Sequence, residues 1–302
     1  MREVFKIVNG AKDFHGVQAI KNVNFSLLKG EIHSLLGENG AGKSTMTKVV
    51  AGVYQLSSGE LYFESKKATF NTPSEALKNG IVMVFQENSL VPNMTVSQNL
   101  YLGAEKYFNS LARLNIRASR FLQSLNFNVD PNLLVSQLGA AQKQMVEIAR
   151  AVHHNAKVII FDEPTATLTP EEKHHFFSLM QRLKVQGVSI VFISHALEEA
   201  LQNSDRITVL RDGEIIETDL ASKFTRERIV KAMIGRDLSD SAYAGSGSSK
   251  RKSRDRGEKV LEVENLSMGS MVKNSTFSAY SGQITGVFGL VGSGRTEMMK
   301  VV

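Results

Sequence analysis

The chain has 302 residues, enough for one large domain or two smaller ones, with an ordinary 42% apolar fraction. There is no cysteine, which excludes disulfides, thiol catalysis and cysteine-ligated metal. No apolar run reaches the length of a membrane span, and the opening Met-Arg-Glu-Val-Phe-Lys has no secretory apolar core. The net charge of +6 would suit nucleic acid or an acidic membrane surface, but much of the excess falls in one run near residue 250.

Residues 4–8, 21–28 and 31–36 read as strands, with Gly30 as the turn before the last, and Leu61 to Phe63 as a further strand. This opening is β-rich and antiparallel in character. Phe14 lies on it and is either a core aromatic or a platform for an adenine ring. Directly after Ile32–Leu36 comes Gly37-Glu38-Asn39-Gly40-Ala41-Gly42-Lys43-Ser44-Thr45, which fits G-x-x-x-x-G-K-[ST]. The glycines let successive backbone N–H groups turn toward a polyphosphate. Lys43 would set a point charge on the β- and γ-phosphates, and the Ser44 hydroxyl would ligate Mg²⁺. The flanking pattern is strand before and helix after (Ser44 to Val50), which puts a phosphate at a helix N-terminus.

Thr72-Pro73-Ser74-Glu75 reads as a helix start closed by Gly80. The apolar run Ile81 to Phe85 reads as a strand beside the phosphate strand, so that Gln86 at its end would reach a metal and the attacking water. Residues 95–155 carry helical periodicity and read as a helical insertion. Within it, Leu138-Gly139-Ala140-Ala141-Gln142 heads an apolar-spaced helix. Its small residues either leave N–H groups open to an anion or simply serve packing. Val158-Ile159-Ile160-Phe161-Asp162-Glu163 is an unalternating apolar run ending in two acids. That suits a strand buried on both faces, with Asp162 on Mg²⁺ and Glu163 polarising a water.

Thr169-Pro170-Glu171-Glu172 starts another helix, ended by Gly187, and Val188–Ile193 is another buried strand, ending at Ser194-His195. His195 would reach a γ-phosphate oxygen. The other histidines have no comparable position, and His153-His154 and His174-His175 read as surface residues. Asp205–Glu217 reads as a hairpin turning at Asp212-Gly213. Residues 236–258 are rich in Ser, Gly, Lys and Arg and read as a flexible linker without aromatics to stack bases.

From residue 259 the opening repeats. Gly282-Gln283-Ile284 answers Gly30-Glu31-Ile32, Gly289 to Thr296 answers Gly37 to Ser44, and Lys300-Val301-Val302 answers Lys48-Val49-Val50, all at a spacing of 252 positions. The second loop keeps Gly289, Gly292, Gly294 and Thr296 but carries Arg295 where the first has Lys43. That is a poor exchange in a loop shaped around one ammonium.

Taken in order, these motifs resemble the ATP-binding cassette family: phosphate loop 37–45, glutamine-loop Gln86, helical insertion, signature 138–142, acids 162 and 163, and switch His195. More narrowly the chain resembles the tandem ATP-binding subunit of bacterial ribose-, galactose- or xylose-type importers. That likeness rests on Gln-Lys-Gln-Met-Val-Glu-Ile-Ala-Arg-Ala at 142–151, Glu-Pro-Thr-Ala-Thr-Leu-Thr at 163–169, and the second loop's Gly-Ser-Gly-Arg-Thr-Glu.

The resemblance implies an α/β P-loop NTPase cassette with a mostly parallel core sheet, an N-terminal antiparallel β subdomain and a helical insertion at about 93–155. It implies a first cassette over 1–235 and the opening of a second over 259–302. It also implies an ATPase with ATP and Mg²⁺, working at the cytoplasmic face of the inner membrane. Its partners would be permease subunits and an extracytoplasmic solute-binding protein, and cassettes would pair across sandwiched ATP. No nucleic-acid partner is expected.

The signature departs from the family's Leu-Ser-Gly-Gly-Gln at Gly139, Ala140 and Ala141. In the family a signature closes over the partner cassette's loop, so the altered signature and the Arg295 loop would share one composite site, leaving one competent and one degenerate site. Two other readings stand beside this one: a soluble cassette ATPase acting on ribosomes or nucleic acid, and a truncated nucleotide-binding module without turnover.

Overall fold

The computed structural model describes residues 2–85, 89–103, 110–154, 156–235, 257–269, 272–288 and 294–301. It divides into two compact units, residues 1–241 and 242–302. The first opens with long paired strands β1 (Glu3–Phe14) and β2 (Val17–Leu28), then β3 (Ile32–Leu36) and helix α1 (Lys43–Val50). Strands β4 (Ser58–Phe63) and β5 (Lys66–Ala68) follow, then α2 (Pro73–Lys78) and β6 (Ile81–Val84). The helical stretch comprises α3 (Val96–Tyr101), α4 (Leu111–Ser124) and α5 (Ala140–His153). The unit closes with β7 (Val158–Asp162), α6 (Pro170–Val185), β8 (Ser189–Ile193), α7 (Leu197–Asn203), β9 (Arg206–Arg211), β10 (Glu214–Leu220) and α8 (Arg226–Ile234).

Two sheets result. An antiparallel one runs β2-β1-β4-β5, and a six-stranded one runs β10-β9-β3-β8-β7-β6, parallel except at the β9–β10 hairpin. The hairpin turns at Asp212 and Gly213, both at positive φ, as a two-residue connection matched to strand twist requires. Strand β6 does not lie beside the phosphate strand β3, contrary to the expectation from sequence. Strands β8 and β7 intervene, and among the described residues β6 is an edge strand paired with β7 alone. Strand order across crossovers is not written in a local apolar run, so the misplacement has a simple cause.

The unalternating strands are buried on both faces. Ile159 and Phe161 of β7, with Ile190 and Phe192 of β8, enter a core shared with α3, α4, α5 and α6. Val158 and Ile160, with Val191 and Ile193, face the other way, into a core shared with the antiparallel sheet and α1. A third cluster joins Leu36, Ile207 and Val209 to α7 and α8. Helix starts follow the capping chemistry: Thr72 accepts from Glu75 N–H, and Thr169 and Glu172 form a reciprocal capping box at α6.

Two histidines differ from their reading as unremarkable or surface residues. His33 is wholly buried on β3, its Nε2 2.8 Å from Thr208 Oγ1, and burial pushes its basicity down. His153 is half-buried between the rings of Tyr101 and Phe121, at centroid distances of 4.6 and 5.6 Å.

The second unit contains the antiparallel pair β11 (Lys259–Met268) and β12 (Val272–Tyr280) and helix α9 (Arg295–Val301). Residues 236–256, most of the expected linker, lie outside the described residues.

Candidate functional site

Strand register gathers the chemistry. Leu35 of β3 pairs with Ile193 of β8, and Ile193 pairs with Asp162 of β7, so three parallel strands end in one row. Just beyond that row come the Gly37–Thr45 loop, Glu163 and His195. Open α/β sheets bind ligands at this edge.

The loop's backbone depends on glycine. Gly42 has φ of 100°, and a Cβ there would lie 2.6 Å from the Ala19 carbonyl oxygen and 2.8 Å from Ile20 Cγ2. It leads directly into α1, so Lys43 and Ser44 sit in the first turn with their N–H groups aimed along the loop. The Lys43 ammonium donates to the carbonyls of Gly37 at 2.7 Å and Glu38 at 2.9 Å. Burial pulls its basicity down, while the charges of Glu163, Asp162 and Glu38 hold it up.

Asp162 is 2% exposed. Burial raises its pKa and the charge of Glu163 adds to the rise; the Ser44 hydroxyl, Lys48 and Lys43 oppose it. Ser44 Oγ donates to Asp162 Oδ1 at 3.4 Å. An alcohol and a buried, cation-seeking carboxylate converging on one point are hard oxygen donors of the kind Mg²⁺ accepts, with water and phosphate completing its shell. The residues present therefore fit that ion.

Glu163 is a non-glycine residue in the left-handed region, at φ of 52°. Such a backbone costs about 1–3 kcal/mol and persists only where its surroundings fix it. Its N–H donates to the Ile193 carbonyl at 3.1 Å, and its Oε1 lies 2.5 Å from His195 Nε2. One strained acid is thus tied to the neighbouring strand by both backbone and side chain.

The signature residues stand apart on the head of α5. Gly139 is the N-cap and offers no side-chain oxygen; the one cap contact is the return half, Gln142 Oε1 accepting the Gly139 N–H at 3.2 Å. Leu138 is buried, Gly139 and Ala140 are exposed, and Ala141 and Gln142 are half-buried. Phe14, at the end of β1, is half-buried rather than core. Its ring meets Tyr54 edge-on at 5.0 Å, with the Lys12 ammonium 5.0 Å from its centroid. Gln86, Gly289 and Gly292 lie outside the described residues. In the second loop, Gly294 has φ of 79° and opens α9, which begins at Arg295-Thr296.

Two features had no motif to announce them. Ser89, three residues past Gln86, donates to Glu147 of α5 from its N–H at 2.5 Å and from its hydroxyl at 3.0 Å, and Arg150 of α5 donates to Ser89 Oγ. Glu147 is 2% exposed and burial raises its pKa. These residues line a groove of about 250 Å³ with Leu77, Val82, Phe85 and Leu102. The second is Glu199 in the first turn of α7, which accepts three hydrogen bonds from separate segments. An acid four residues after His195 at a helix start is the only hint of it in the sequence.

This sheet order, loop and row of strand ends define a P-loop nucleotide-binding cassette. Residues 20–166 match the family model described as ABC transporter, so the first unit carries an ABC transporter ATP-binding domain. The chain is 41% identical over 298 residues to the galactose/methyl galactoside import ATP-binding protein MglA of Clostridium perfringens, covering 97% of this chain and 56% of that protein. It is 38% identical over 302 residues to the ribose import ATP-binding protein RbsA of Chelativorans sp., covering 100% of this chain and 58% of that one. The chain thus spans somewhat over half the length of these curated relatives. Among solved structures, an ATP-binding cassette of an ABC transporter in its ADP conformation superposes with a TM-score of 0.67 at 28% identity, covering 78% of this chain and 100% of that one. A dimeric cassette bound to ADP and Pi, in a post-hydrolysis state, gives 0.65 at 28% identity, over 73% of this chain and all of that one.

Proposed function

We propose that the chain is an ATP-binding and ATP-hydrolysing part of a sugar importer. The observation that carries this is the convergence of the Gly37–Thr45 loop, Asp162, Glu163 and His195 on one sheet edge, in a chain similar throughout to import ATP-binding proteins. In this reading the loop N–H groups and Lys43 hold the phosphates of ATP, whose oxygens replace the Gly37 and Glu38 carbonyls at the ammonium. Ser44 and Asp162, with Gln86, would hold Mg²⁺, which would supply neutralisation of the charge on the transferring phosphoryl group. Glu163 orients and polarises the attacking water, and His195 fixes Glu163 and reaches a γ-phosphate oxygen. Phe14 is the platform for the adenine ring.

The reading extends to assembly. Residues 1–235 act as one cassette, 236–258 as linker and 259–302 as the opening of a second. The site at 37–45 binds MgATP, and its hydrolysis is fastest when the signature of a second cassette closes over it. The signature at 138–142 lacks the family's serine, and the second loop carries Arg295 where the first has Lys43, so each is read as a degenerate half-site. The groove beside Ser89 and Glu147 faces permease subunits, the chain works at the cytoplasmic face of the membrane, and an extracytoplasmic binding protein selects the solute.

Co-expression with the membrane-spanning subunits of a galactose- or ribose-type importer tests this. A detergent-stable complex with ATPase activity well above that of the chain alone is expected. Failure to associate, together with salt-sensitive binding to nucleic acid, would replace it with a soluble cassette reading.

A further inference from the structure

We infer that Glu199 is a positioning residue that locks Glu163 and His195 into register from outside the site. This rests on the reading of Glu163 and His195 as the hydrolytic pair. Glu199 lies in the first turn of α7, and its side chain is 12% exposed. One carboxylate oxygen, Oε2, accepts two hydroxyls: Thr165 Oγ1 at 2.7 Å and Ser194 Oγ at 3.0 Å. The other, Oε1, accepts the Lys173 ammonium of α6 at 2.8 Å.

The two hydroxyl donors occupy telling places. Thr165 follows Glu163 by two residues, in the turn that leaves β7. Ser194 immediately precedes His195, in the turn that leaves β8. Both are buried. Ser194 Oγ also accepts the Ala196 N–H at 3.0 Å, so the His195 peptide is gripped on both sides. A single oxygen therefore fixes the distance between the two turns that carry the acid and the imidazole.

The Glu163 backbone gives this a reason. A left-handed glutamate followed by proline will relax unless the chain on each side is held. Upstream, β7 is locked in the sheet; downstream, the turn's backbone makes the longer bonds Ala166 N–H to Glu163 O at 3.4 Å and Leu168 N–H to Thr165 O at 3.3 Å. The Thr165–Glu199 bond is the short tether on that side. The Lys173 ammonium, 2.8 Å from Oε1, holds the carboxylate in position, and charge-assisted bonds of this kind are the stronger sort.

The test measures nucleotide affinity and hydrolysis separately, with the full chain in excess over ATP. Affinity is read with a fluorescent ATP analogue and single-turnover hydrolysis with radiolabelled ATP. Glu199→Ala should leave affinity within about twofold of the parent and slow hydrolysis by about tenfold or more. Glu199→Gln still offers one oxygen to both hydroxyls and should stay within about threefold of the parent, which a role based on charge alone would not allow. Thr165→Val, which leaves the carboxylate in place, should slow hydrolysis in the same direction and keeps the test intact should Glu199→Ala not fold. Parallel loss of affinity and rate, unchanged rates, or equal losses in the alanine and glutamine variants would overturn the inference. Glu163→Gln serves as the reference. If it stops hydrolysis while Glu199→Ala and Thr165→Val do not, the inference alone falls. If Glu163→Gln hydrolyses ATP as fast as the parent, or the parent itself does not hydrolyse it, the underlying reading falls and takes this with it.

Discussion

Replacing Asp162 by Asn should make the nucleotide-free protein more stable while removing its response to Mg²⁺. Asp162 is almost wholly buried, and the one neutral side-chain donor it meets among the described residues, Ser44 Oγ, lies at a long 3.4 Å. Burial and the adjacent Glu163 both disfavour its ionised form. An ionised carboxylate so placed costs several kcal/mol, part of which Lys43 and Lys48 return. An amide of the same shape removes the charge but leaves N–H donors to satisfy, at about 1 kcal/mol or more. The net expectation is a gain of about 1 kcal/mol, or about 2–4 °C in melting temperature for a unit of this size.

The pH dependence has a definite sign. A carboxyl whose folded pKa is raised contributes stability when protonated and loses it as pH rises through that pKa. The advantage of Asp162→Asn is therefore greatest at neutral pH and shrinks as pH falls into the range where Asp162 takes up its proton. Thermal unfolding followed by circular dichroism, with and without ATP and Mg²⁺, reads all three effects. At a hundred times the dissociation constant, MgATP should add about 2.7 kcal/mol to the parent. The variant should gain no increment from Mg²⁺ beyond that given by ATP alone. A variant less stable than the parent at neutral pH, or one with the parent's Mg²⁺ increment, would refute the assignment of Asp162 as a buried, cation-seeking ligand.

Three further outcomes are expected. Thr169→Ala breaks the capping box of α6 and should cost about 1 kcal/mol, seen as a lower melting temperature with unchanged ATP affinity. Phe176→Ala empties a buried position packed edge-on against Phe161 at 5.1 Å and near Phe192 at 6.2 Å, and should cost about 3–5 kcal/mol in denaturant unfolding. Gly139→Ser should be accepted without strain, because nothing lies within 4 Å of an added Cβ and the backbone already has N-cap geometry; a gain of a few tenths of a kcal/mol is expected, visible as a melting temperature equal to or slightly above the parent's.

Much of this site was legible because its parts are local. The Gly42-Lys43-Ser44 turn, the apolar run into Asp162 and the helix starts at Thr72 and Thr169 each declare themselves within a few residues. What was not legible depends on which strands become neighbours. The edge position of β6 follows from crossovers that leave no local pattern. The same holds for the buried His33–Thr208 contact between strands 175 residues apart in sequence. Glu199 illustrates the general case. In the sequence it is one of two adjacent acids at a helix start; only folding brings Thr165, Ser194 and Lys173 to it. Phe14, which the sequence leaves between core and platform, lies half-buried beside Tyr54, a placement compatible with stacking a ring.

In the proposed function Glu163, held by His195 at the end of β7, separates ATP binding from ATP hydrolysis. Incubating the Glu163→Gln variant with MgATP, removing free nucleotide and assaying what remains bound tests it directly. Binding as tight as the parent's is expected, with the bound nucleotide recovered as ATP under conditions where the parent yields ADP, a slowing of about a hundredfold or more. Recovery of ADP from the variant at the parent's rate would contradict it.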